Sequence, residues 1–269
     1  MNPYSRQVFA SVAQVSRLEH LQKVIESGAT ALGAVLTLAD PMIAEIAGYS
    51  GLDFVWIDSE HGALNIETIK LMVTAAAAGN CAPLVRVRDN DAALLKTVLD
   101  MNPAGVIIPM VKTVEEAEAA VAACRYYPRG IRGCGVRRGS GYNTISFKDY
   151  LRQSQDAPWV IIQIEHIDSL KELDKILAVP GINSVCVGPC DLAVSMGMAE
   201  NMDAPEVNKV IDEICAKVKK SGLSLGTASG NLPRWQERGV NWFAGAGDCS
   251  MIAAGFRNFV KTSRSSAVY

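Results

Sequence analysis

Short runs of apolar residues recur along the chain, and most of them are followed by a stretch in which apolar residues return at helical spacing. The runs are four to six residues long and rich in valine and isoleucine. Runs of this kind are typical of strands that are buried on both faces. They predict eight strands, at residues 31–36, 54–58, 83–86, 106–109, 160–165, 184–188, 223–227 and 242–246.

The helical stretches complete a repeating strand–helix pattern. Thr113, with Glu116 three residues later, has the spacing of a capping box at the start of one of them. The predicted helices lie at residues 66–78, 92–99, 114–124, 169–177, 205–220, 232–238 and 249–263. Eight such units in about 250 residues predict a (β/α)₈ TIM barrel. A doubly wound open sheet is the alternative, but no glycine-rich nucleotide loop follows the first strand.

We expect one TIM-barrel domain over residues 1–269, because no linker or repeat divides the chain. Residues 1–30 form an N-terminal helical extension in this interpretation, with a helix at 15–26 that closes the bottom of the barrel. Residues 126–150 are rich in glycine and arginine and lack strong periodicity. Because loops of that length are usually functional or mobile, we expect an active-site loop region there.

Composition narrows the class of protein. The chain is 49% hydrophobic and 20% charged, with a net charge of −2, so nothing points to nucleic acid or an anionic membrane as a partner. No apolar run approaches the roughly 20 residues of a membrane span, and the first residues lack the apolar core of a secretion signal. The seven cysteines are scattered without a CxxC pair. They predict reduced thiols and a cytoplasmic protein.

Two acidic residues close neighbouring predicted strands. Gln163 and Glu165 are two apart, so they share one face of the strand that they end. A carboxylate among buried residues is costly unless it is paired or bound to a metal. Asp191 follows the next buried strand. In a barrel the carboxyl ends of the strands meet at one face and carry the working residues, so this pair predicts a site for a hard cation.

Four motifs at the strand ends form an ordered set: WIDSEHG at 56–62, LVR at 84–86, IQIE at 162–165 and VGPCDL at 187–192. Together they resemble the HpcH/HpaI aldolase family of the phosphoenolpyruvate/pyruvate superfamily, over residues 31–254. Members of that family are typically class II aldolases, which depend on a divalent metal and cleave 4-hydroxy-2-oxo acids reversibly to pyruvate and an aldehyde. The resemblance therefore implies a metal-dependent pyruvate aldolase.

The resemblance also implies roles for single residues. Glu165 and Asp191 would hold Mg²⁺ or Mn²⁺, or else Co²⁺, since such ions prefer oxygen ligands. Arg86 would face the keto oxygen of the 2-oxo acid and stabilise the enolate charge that grows there. His61 would be the general base for the 4-hydroxyl group. Asp58 would orient the His61 imidazole and fix its tautomer.

The remaining predicted contacts hold the pyruvate part of the substrate. Gln163 would hydrogen-bond the substrate carboxylate or a metal-bound water. The turn at Gly188 and Pro189 would present the backbone N–H groups of Cys190 and Asp191 to the same carboxylate at a helix start. In the predicted active-site loop, three arginines could bind a distal carboxylate, or could equally be solvated or reach a neighbouring subunit, namely Arg132, Arg137 and Arg138.

Other functions remain open at this stage. An oxaloacetate decarboxylase or another C–C lyase would use the same enolate and the same residues. A Schiff-base aldolase needs a lysine at a strand end, and Lys112 is the candidate. A non-catalytic, ligand-binding barrel is the third alternative. The resemblance implies a homo-oligomer, hexamer or dimer, in which the amphipathic C-terminal helix at 250–263 packs on a neighbouring subunit.

Overall fold

Eight parallel strands pair in chain order, and the last of them pairs with the first. The structure is a computed structural model that describes residues 11–265. The strands are β1 (Ala31–Leu36), β2 (Phe54–Asp58), β3 (Ala82–Arg86), β4 (Gly105–Ile108), β5 (Trp159–Ile164), β6 (Ser184–Val187), β7 (Ser224–Thr227) and β8 (Trp242–Gly247). The predicted (β/α)₈ TIM barrel is confirmed, and the open sheet is excluded.

Alternate residues of each strand belong to two separate apolar clusters, because successive side chains point to opposite faces. The cluster inside the barrel contains Phe54, Trp56, Leu84, Ile161 and Trp242. The cluster between strands and helices contains Val55, Ile57, Val85, Ile162 and Val187. Asp58, Arg86 and Gln163 continue the inward-facing alternation at the carboxyl ends of their strands, so the polar positions of the sequence open into the barrel mouth.

A tryptophan fills the barrel below that mouth. Trp242 is fully buried and meets Phe54 edge to face, with ring centroids 5.6 Å apart. Its indole N–H donates to Ser184 Oγ at 2.9 Å, so no polar atom of the ring is stranded. At Gly226 a Cβ would overlap the indole. The interior is therefore a packed core, and space for a ligand is left only towards the strand ends.

The helices that surround the barrel include most of those predicted and three that were missed. They are α1 (Val12–Ser16), α2 (Leu18–Glu26), α3 (Pro41–Tyr49), α4 (Ile66–Ala78), α5 (Ala92–Leu99), α6 (Val114–Cys124), α7 (Phe147–Gln153), α8 (Leu173–Leu177), α9 (Pro189–Ser195), α10 (Pro205–Ser221), α11 (Leu232–Glu237) and α12 (Asp248–Ser265). The capping box of α6 is present as predicted, with Thr113 and Glu116 bonded reciprocally. The apolar pattern did not predict α3, α7 or α9, although the resemblance implied a helix start at Gly188 and Pro189, where α9 begins.

The N-terminal helices lie under the barrel. Val12, Val15, Leu18 and Leu21 belong to the same apolar cluster as the barrel interior. The backbone of Val12 is held at both polar groups, because its N–H donates to a glutamine of α7 and its carbonyl accepts from an asparagine before β4. Residues 1–10 of the predicted N-terminal extension lie outside the described residues. No described helix has both the length and the apolar character needed to cross a bilayer.

The segment at 126–150 lies at the opposite end of the barrel from the predicted site. It connects α6 to β5, and such a connection returns the chain to the amino-terminal ends of the strands. Arg132 donates to the Leu99 carbonyl at 3.0 Å and to Asp100 Oδ1 at 3.3 Å. Arg138 donates to two carbonyls of the same α5–β4 turn. The prediction of an active-site loop with arginines for a distal carboxylate is therefore contradicted within one protomer.

Candidate active site

The polar residues at the strand ends surround one cavity of about 360 Å³. Eight of the nine predicted site residues line it, namely His61, Arg86, Gln163, Glu165, Gly188, Pro189, Cys190 and Asp191. The remaining wall is formed by residues of β1, β2, β6 and the β7–α11 loop, including Trp56, Ala228 and Ser229. Asp58 lies behind this wall, where its carboxylate faces Arg86 rather than the cavity.

Arg86 is held by two carboxylates. Asp58 accepts from Nε at 3.0 Å and from Nη2 at 2.6 Å, a bidentate pair that fixes the plane of the guanidinium. Glu60 Oε2 lies 2.9 Å from Nη1, and the guanidinium carbon lies 5.0 Å from the centroid of the Trp56 ring. Burial by itself lowers the pKa of Arg86, but the hydrogen bond and charge of Asp58 raise it above the ordinary value. Arg86 is therefore a rigid, permanent cation.

Glu60 is a site residue to which sequence reasoning assigned no role. Its backbone N–H donates to Asp58 Oδ1 at 3.1 Å, and its carboxylate lies beside Arg86. Burial raises its pKa, and the charge of Arg86 opposes the shift. Within the described residues Glu60 Oε2 has no hydrogen bond of good geometry, although Arg86 Nη1 is close to it. The available signal was its place inside the polar run that follows β2.

His61 lies on the rim of the cavity, with 64% of its side chain exposed. Its backbone N–H donates to Asp58 Oδ1 at 3.3 Å. The carboxylate beside the imidazole is that of Glu60, with Oε2 4.0 Å from Nε2. The expectation that Asp58 orients the imidazole is therefore wrong in this structure, because both oxygens of Asp58 are bonded to Arg86. Asp58 orients the guanidinium and the loop backbone instead.

The Glu165 side chain is restrained by two hydrogen bonds and by the close approach of one glycine. Oε1 accepts the Met110 N–H at 2.8 Å, and Oε2 accepts the Gln163 amide at 2.5 Å. Gly188 lies against the carboxylate, where a Cβ would overlap Oε2 and come within 2.7 Å of Glu165 Cβ. Burial raises the pKa of Glu165 to about 7; the Met110 N–H works against this shift, and the charge of Asp191 adds to it. Each carboxylate oxygen keeps a lone pair for a ligand in the cavity.

Gln163 lies between Glu165 and Arg86 and contacts both. Its amide nitrogen is committed to Glu165, and its Oε1 lies 3.5 Å from Arg86 Nη1. The side chain is 2% exposed, so it cannot turn freely. These bonds give Gln163 an orienting role towards Glu165. Its predicted contact with a substrate carboxylate stays a prediction.

A divalent cation fits the charge balance of the site. Asp58 and Glu60 pair with the Arg86 guanidinium. Glu165 and Asp191 both line the cavity, and the charge of Asp191 contributes to the raised pKa of Glu165. Among the described residues, no cluster of three or more histidine, cysteine or acidic side chains is arranged to hold a metal. Two carboxylates with further positions left to substrate and water are the usual environment of Mg²⁺, so the residues present fit such an ion.

Two alternative chemistries find little support in the cavity. Within the described part of the chain, no lysine lines this cavity. Lys112 lines a neighbouring cavity instead. Cys190 is exposed on the cavity side of α9. No histidine stands next to it in the chain to act as its base. Schiff-base and thiol catalysis therefore lack the arrangement that each needs.

Comparison with known proteins gives consistent matches. Residues 32–245 match the family described as HpcH/HpaI aldolase/citrate lyase. The chain is 37% identical over 236 residues to a 4-hydroxy-2-oxo-heptane-1,7-dioate aldolase of Salmonella paratyphi C (strain RKS4594), covering 86% of this chain and 89% of the relative. An HpcH/HpaI aldolase structure from Desulfitobacterium hafniense DCB-2 superposes with a TM-score of 0.83 at 27% identity, over 91% of this chain and 96% of the other.

A more distant match concerns the fold alone. The citrate lyase beta subunit of M. tuberculosis, solved in complex with oxaloacetate and magnesium, is 13% identical, with a TM-score of 0.50. The superposition covers 82% of this chain and 92% of that chain. The barrel described above is thus shared with proteins whose sequences have diverged far from this one.

Proposed function

Because the chain belongs to the HpcH/HpaI aldolase/citrate lyase family, we propose that it is a divalent-metal-dependent class II pyruvate aldolase. It would cleave a 4-hydroxy-2-oxo acid reversibly to pyruvate and an aldehyde. The observation that carries this proposal is the joint opening of Glu165, Asp191, Arg86 and His61 into one cavity. These groups supply metal ligands, a fixed cation and a base within reach of one small substrate.

Glu165 and Asp191 would hold the cation, which is Mg²⁺ or Mn²⁺ in this proposal, with Co²⁺ as a further candidate. When bound, such an ion acts as a Lewis acid on the carboxylate and keto oxygens of the 2-oxo acid. The hydrogen bonds from Met110 and Gln163 hold Glu165 in one orientation before the ion arrives. The two ligands come from adjacent strand ends, β5 and β6, so the barrel itself fixes their separation.

Arg86 stabilises the charge that develops during cleavage. As the bond between C3 and C4 breaks, negative charge moves onto the keto oxygen, and a guanidinium aimed there stabilises the enolate more than the ketone. Asp58 and Glu60 hold the guanidinium in place, so it need not reorganise as the charge appears. Backbone N–H groups at the start of α9 would donate hydrogen bonds to the substrate carboxylate, and the Gln163 side chain would lie beside it.

His61 takes the proton from the 4-hydroxyl group as the aldehyde forms, and it returns the proton in the direction of synthesis. His61 both lines the cavity and is exposed at its rim, which suits a group that would meet the outer, aldehyde half of the substrate. Proton transfer can run directly or through water, since the imidazole is largely exposed.

Metal removal tests the proposal directly. Pyruvate and a hydroxy-aldehyde are incubated with the protein and Mn²⁺, and the aldol product is quantified before and after EDTA treatment. We expect chelation to abolish turnover and added Mn²⁺ to restore it, because the substrate oxygens would lose their Lewis acid. A control with EDTA already saturated by Mn²⁺ separates chelation from a direct effect of the reagent. Turnover that survives chelation would contradict the metal assignment.

The pH dependence of metal binding is a second expected result. Glu165 must be ionised to bind a cation, and its pKa is raised to about 7. The dissociation constant of Mn²⁺, followed by electron paramagnetic resonance, should therefore rise about tenfold from pH 8 to pH 6. The stability of the metal-free protein should change in the opposite direction. A carboxyl group with a raised pKa stabilises the fold while protonated and loses that contribution as pH rises through 7.

The Glu165→Gln variant is the control for the pH experiment. It keeps the shape of the side chain but cannot titrate, so its metal-free Tm should depend less on pH between 5 and 8 than that of the parent. If the variant and the parent show the same pH profile, Glu165 is not the titrating group.

An oxaloacetate decarboxylase is the alternative function. It passes through the same enolate and needs Arg86 and the two metal ligands, but no base for a 4-hydroxyl group. The ratio of kcat/KM for oxaloacetate to that for an aldol substrate distinguishes the two activities. A ratio well above one would make decarboxylation the main reaction and aldol cleavage the side activity.

We also propose a cytoplasmic homo-oligomer, a dimer or hexamer. Helix α12 buries only Asp248 and exposes an apolar face that contains Met251, Ile252, Phe256 and Phe259. An exposed apolar face of this kind marks a contact surface, and in this proposal the helix packs on a neighbouring subunit. All seven cysteines are free, which suits a reducing compartment. Sedimentation equilibrium gives the subunit number, and a monomer would contradict the proposal.

A further inference from the structure

One residue beside the metal ligands has an unusual backbone. Met110 follows β4 with a φ of 56°, in the left-handed region that residues other than glycine seldom adopt. Three of the six non-glycine residues with positive φ in the described chain are asparagines, which tolerate this region. Methionine has no side-chain group that would favour it. A conformation of this kind persists only when the surrounding structure imposes it, and it often marks a functional site.

The left-handed turn aims a backbone donor at the site. The Met110 N–H points to Glu165 Oε1 at 2.8 Å, and the next N–H, of Val111, donates to the Gln163 carbonyl at 3.2 Å. Strand β4 pairs with β5 only as far as Ile108 opposite Ile162. Beyond that point the ordinary strand ladder ends, and the turn redirects two successive N–H groups onto the segment of β5 that carries Glu165.

The side chain of Met110 has no part in this contact. It is 41% exposed and lines the neighbouring cavity with Asp89 and Lys112, outside the cavity that holds Glu165 and Asp191. Residue 110 therefore contributes to the site only through its backbone N–H, which its conformation points at Glu165. The Gln163 amide restrains the other carboxylate oxygen, so the two donors together fix the rotation of the carboxylate about its last bond.

We propose that Met110 is a positioning residue that acts through its backbone: its left-handed conformation holds Glu165 in the orientation that receives the divalent cation. This inference rests on the proposed metal-dependent function. Because the donor is a main-chain group, any residue that accepts the left-handed region should serve at position 110. A residue that rejects this region should not, whatever its polarity.

Three substitutions separate backbone from side chain. Met110→Gly relieves the conformational restriction, and Met110→Leu keeps a side chain of similar size that is not branched at Cβ. Met110→Val places a β-branched side chain in a region that it strongly disfavours. We expect the glycine and leucine variants to bind Mn²⁺ within about threefold of the parent. The valine variant should bind about 10- to 100-fold more weakly, the range for losing a group that orients a metal ligand.

A fourth variant removes only the donor. Replacing Met110 by its α-hydroxy acid analogue converts the peptide N–H to an ester oxygen and leaves the side chain unchanged. We expect Mn²⁺ binding, measured by electron paramagnetic resonance, to weaken about tenfold or more. The Mn²⁺ concentration for half-maximal activity should rise in parallel, while kcat recovers at saturating Mn²⁺. This variant decides the question if Met110→Val does not fold.

The outcomes are distinguishable. An ester variant that binds Mn²⁺ as tightly as the parent overturns the inference, and the proposed function stands. A leucine variant as weak as the valine variant also overturns it, because the methionine side chain would then be the active group. A parent protein that binds no Mn²⁺ overturns the metal site and this inference together. Weak binding confined to the valine and ester variants supports the inference.

Discussion

Replacing Arg86 with alanine is expected to lower kcat for aldol cleavage by about 10²- to 10³-fold. This is the range found when one preorganised donor to a developing oxyanion is removed. The guanidinium is buried, charged and held by Asp58 and Glu60, so in the proposed mechanism it would stabilise the enolate without rearrangement. Steady-state kinetics at saturating Mn²⁺ measure the effect. Arg86→Lys should recover little, because an ammonium group cannot make the bidentate pair with Asp58.

Arg88→Ala is the matched control for this experiment. Arg88 lies two residues further along the chain, and its guanidinium donates to the Ser59 and Leu64 carbonyls outside the cavity. We expect a loss of thermal stability with kcat within about tenfold of the parent. An Arg86→Ala enzyme that keeps activity within twofold of the parent would show that the guanidinium does not face the enolate. Equal losses in the two variants would point to a structural role for both.

Gly188→Ala is expected to lower kcat/KM by about 10²-fold, the scale for a displacement of about 1 Å in a catalytic group. The new Cβ would overlap Glu165 Oε2 and lie 2.7 Å from Glu165 Cβ. Because Glu165 is buried and bonded at both oxygens, it cannot move aside without breaking a bond to Met110 or Gln163. Mn²⁺ affinity should fall together with activity. Isothermal titration of the metal-free protein measures the affinity.

Gly133→Ala makes the same chemical change at the amino-terminal end of the barrel. Its Cβ would meet only the flexible Lys96 side chain, at 3.1 Å. This variant should keep the metal affinity and kcat/KM of the parent. Circular dichroism of both variants checks that the barrel is intact. If Gly188→Ala is folded and binds Mn²⁺ with parental affinity, the close approach of Gly188 to Glu165 has no consequence for the site.

The barrel was predictable because parallel strands buried on both faces produce continuous apolar runs, and these are separated by helical spacing. Helix α3 escaped prediction for a physical reason. Its buried positions are the small residues Ala44 and Ala47, whereas Met42, Ile46 and Tyr49 face outward. Its apolar pattern therefore does not identify its inner face. The stronger local signal was the N-terminal cap. The Asp40 side chain accepts the Met42 N–H, and Pro41 is the first residue of the helix.

The misplaced segment at 126–150 shows a different limit. Its length and composition favoured a functional loop, but the order of elements decides which end of the barrel it occupies. It follows a helix and precedes a strand, so it returns to the amino-terminal ends. There Arg132 and Arg138 bond the turn between α5 and β4. The length and charge of a loop do not predict which end of the barrel it occupies. That location follows from the order of helices and strands along the chain.

The barrel and the polar residues that reach its mouth are predictable from the amino-acid sequence, because alternation along a strand and the succession of strands are visible in the chain. How those residues pair depends on the three-dimensional fold. The register of β2 against β3 sets Asp58 beside Arg86, which removes Asp58 from the imidazole and leaves Glu60 there. The donor to Glu165 comes from Met110, 55 residues away. Contacts between strands depend on register and backbone direction, which no single segment encodes.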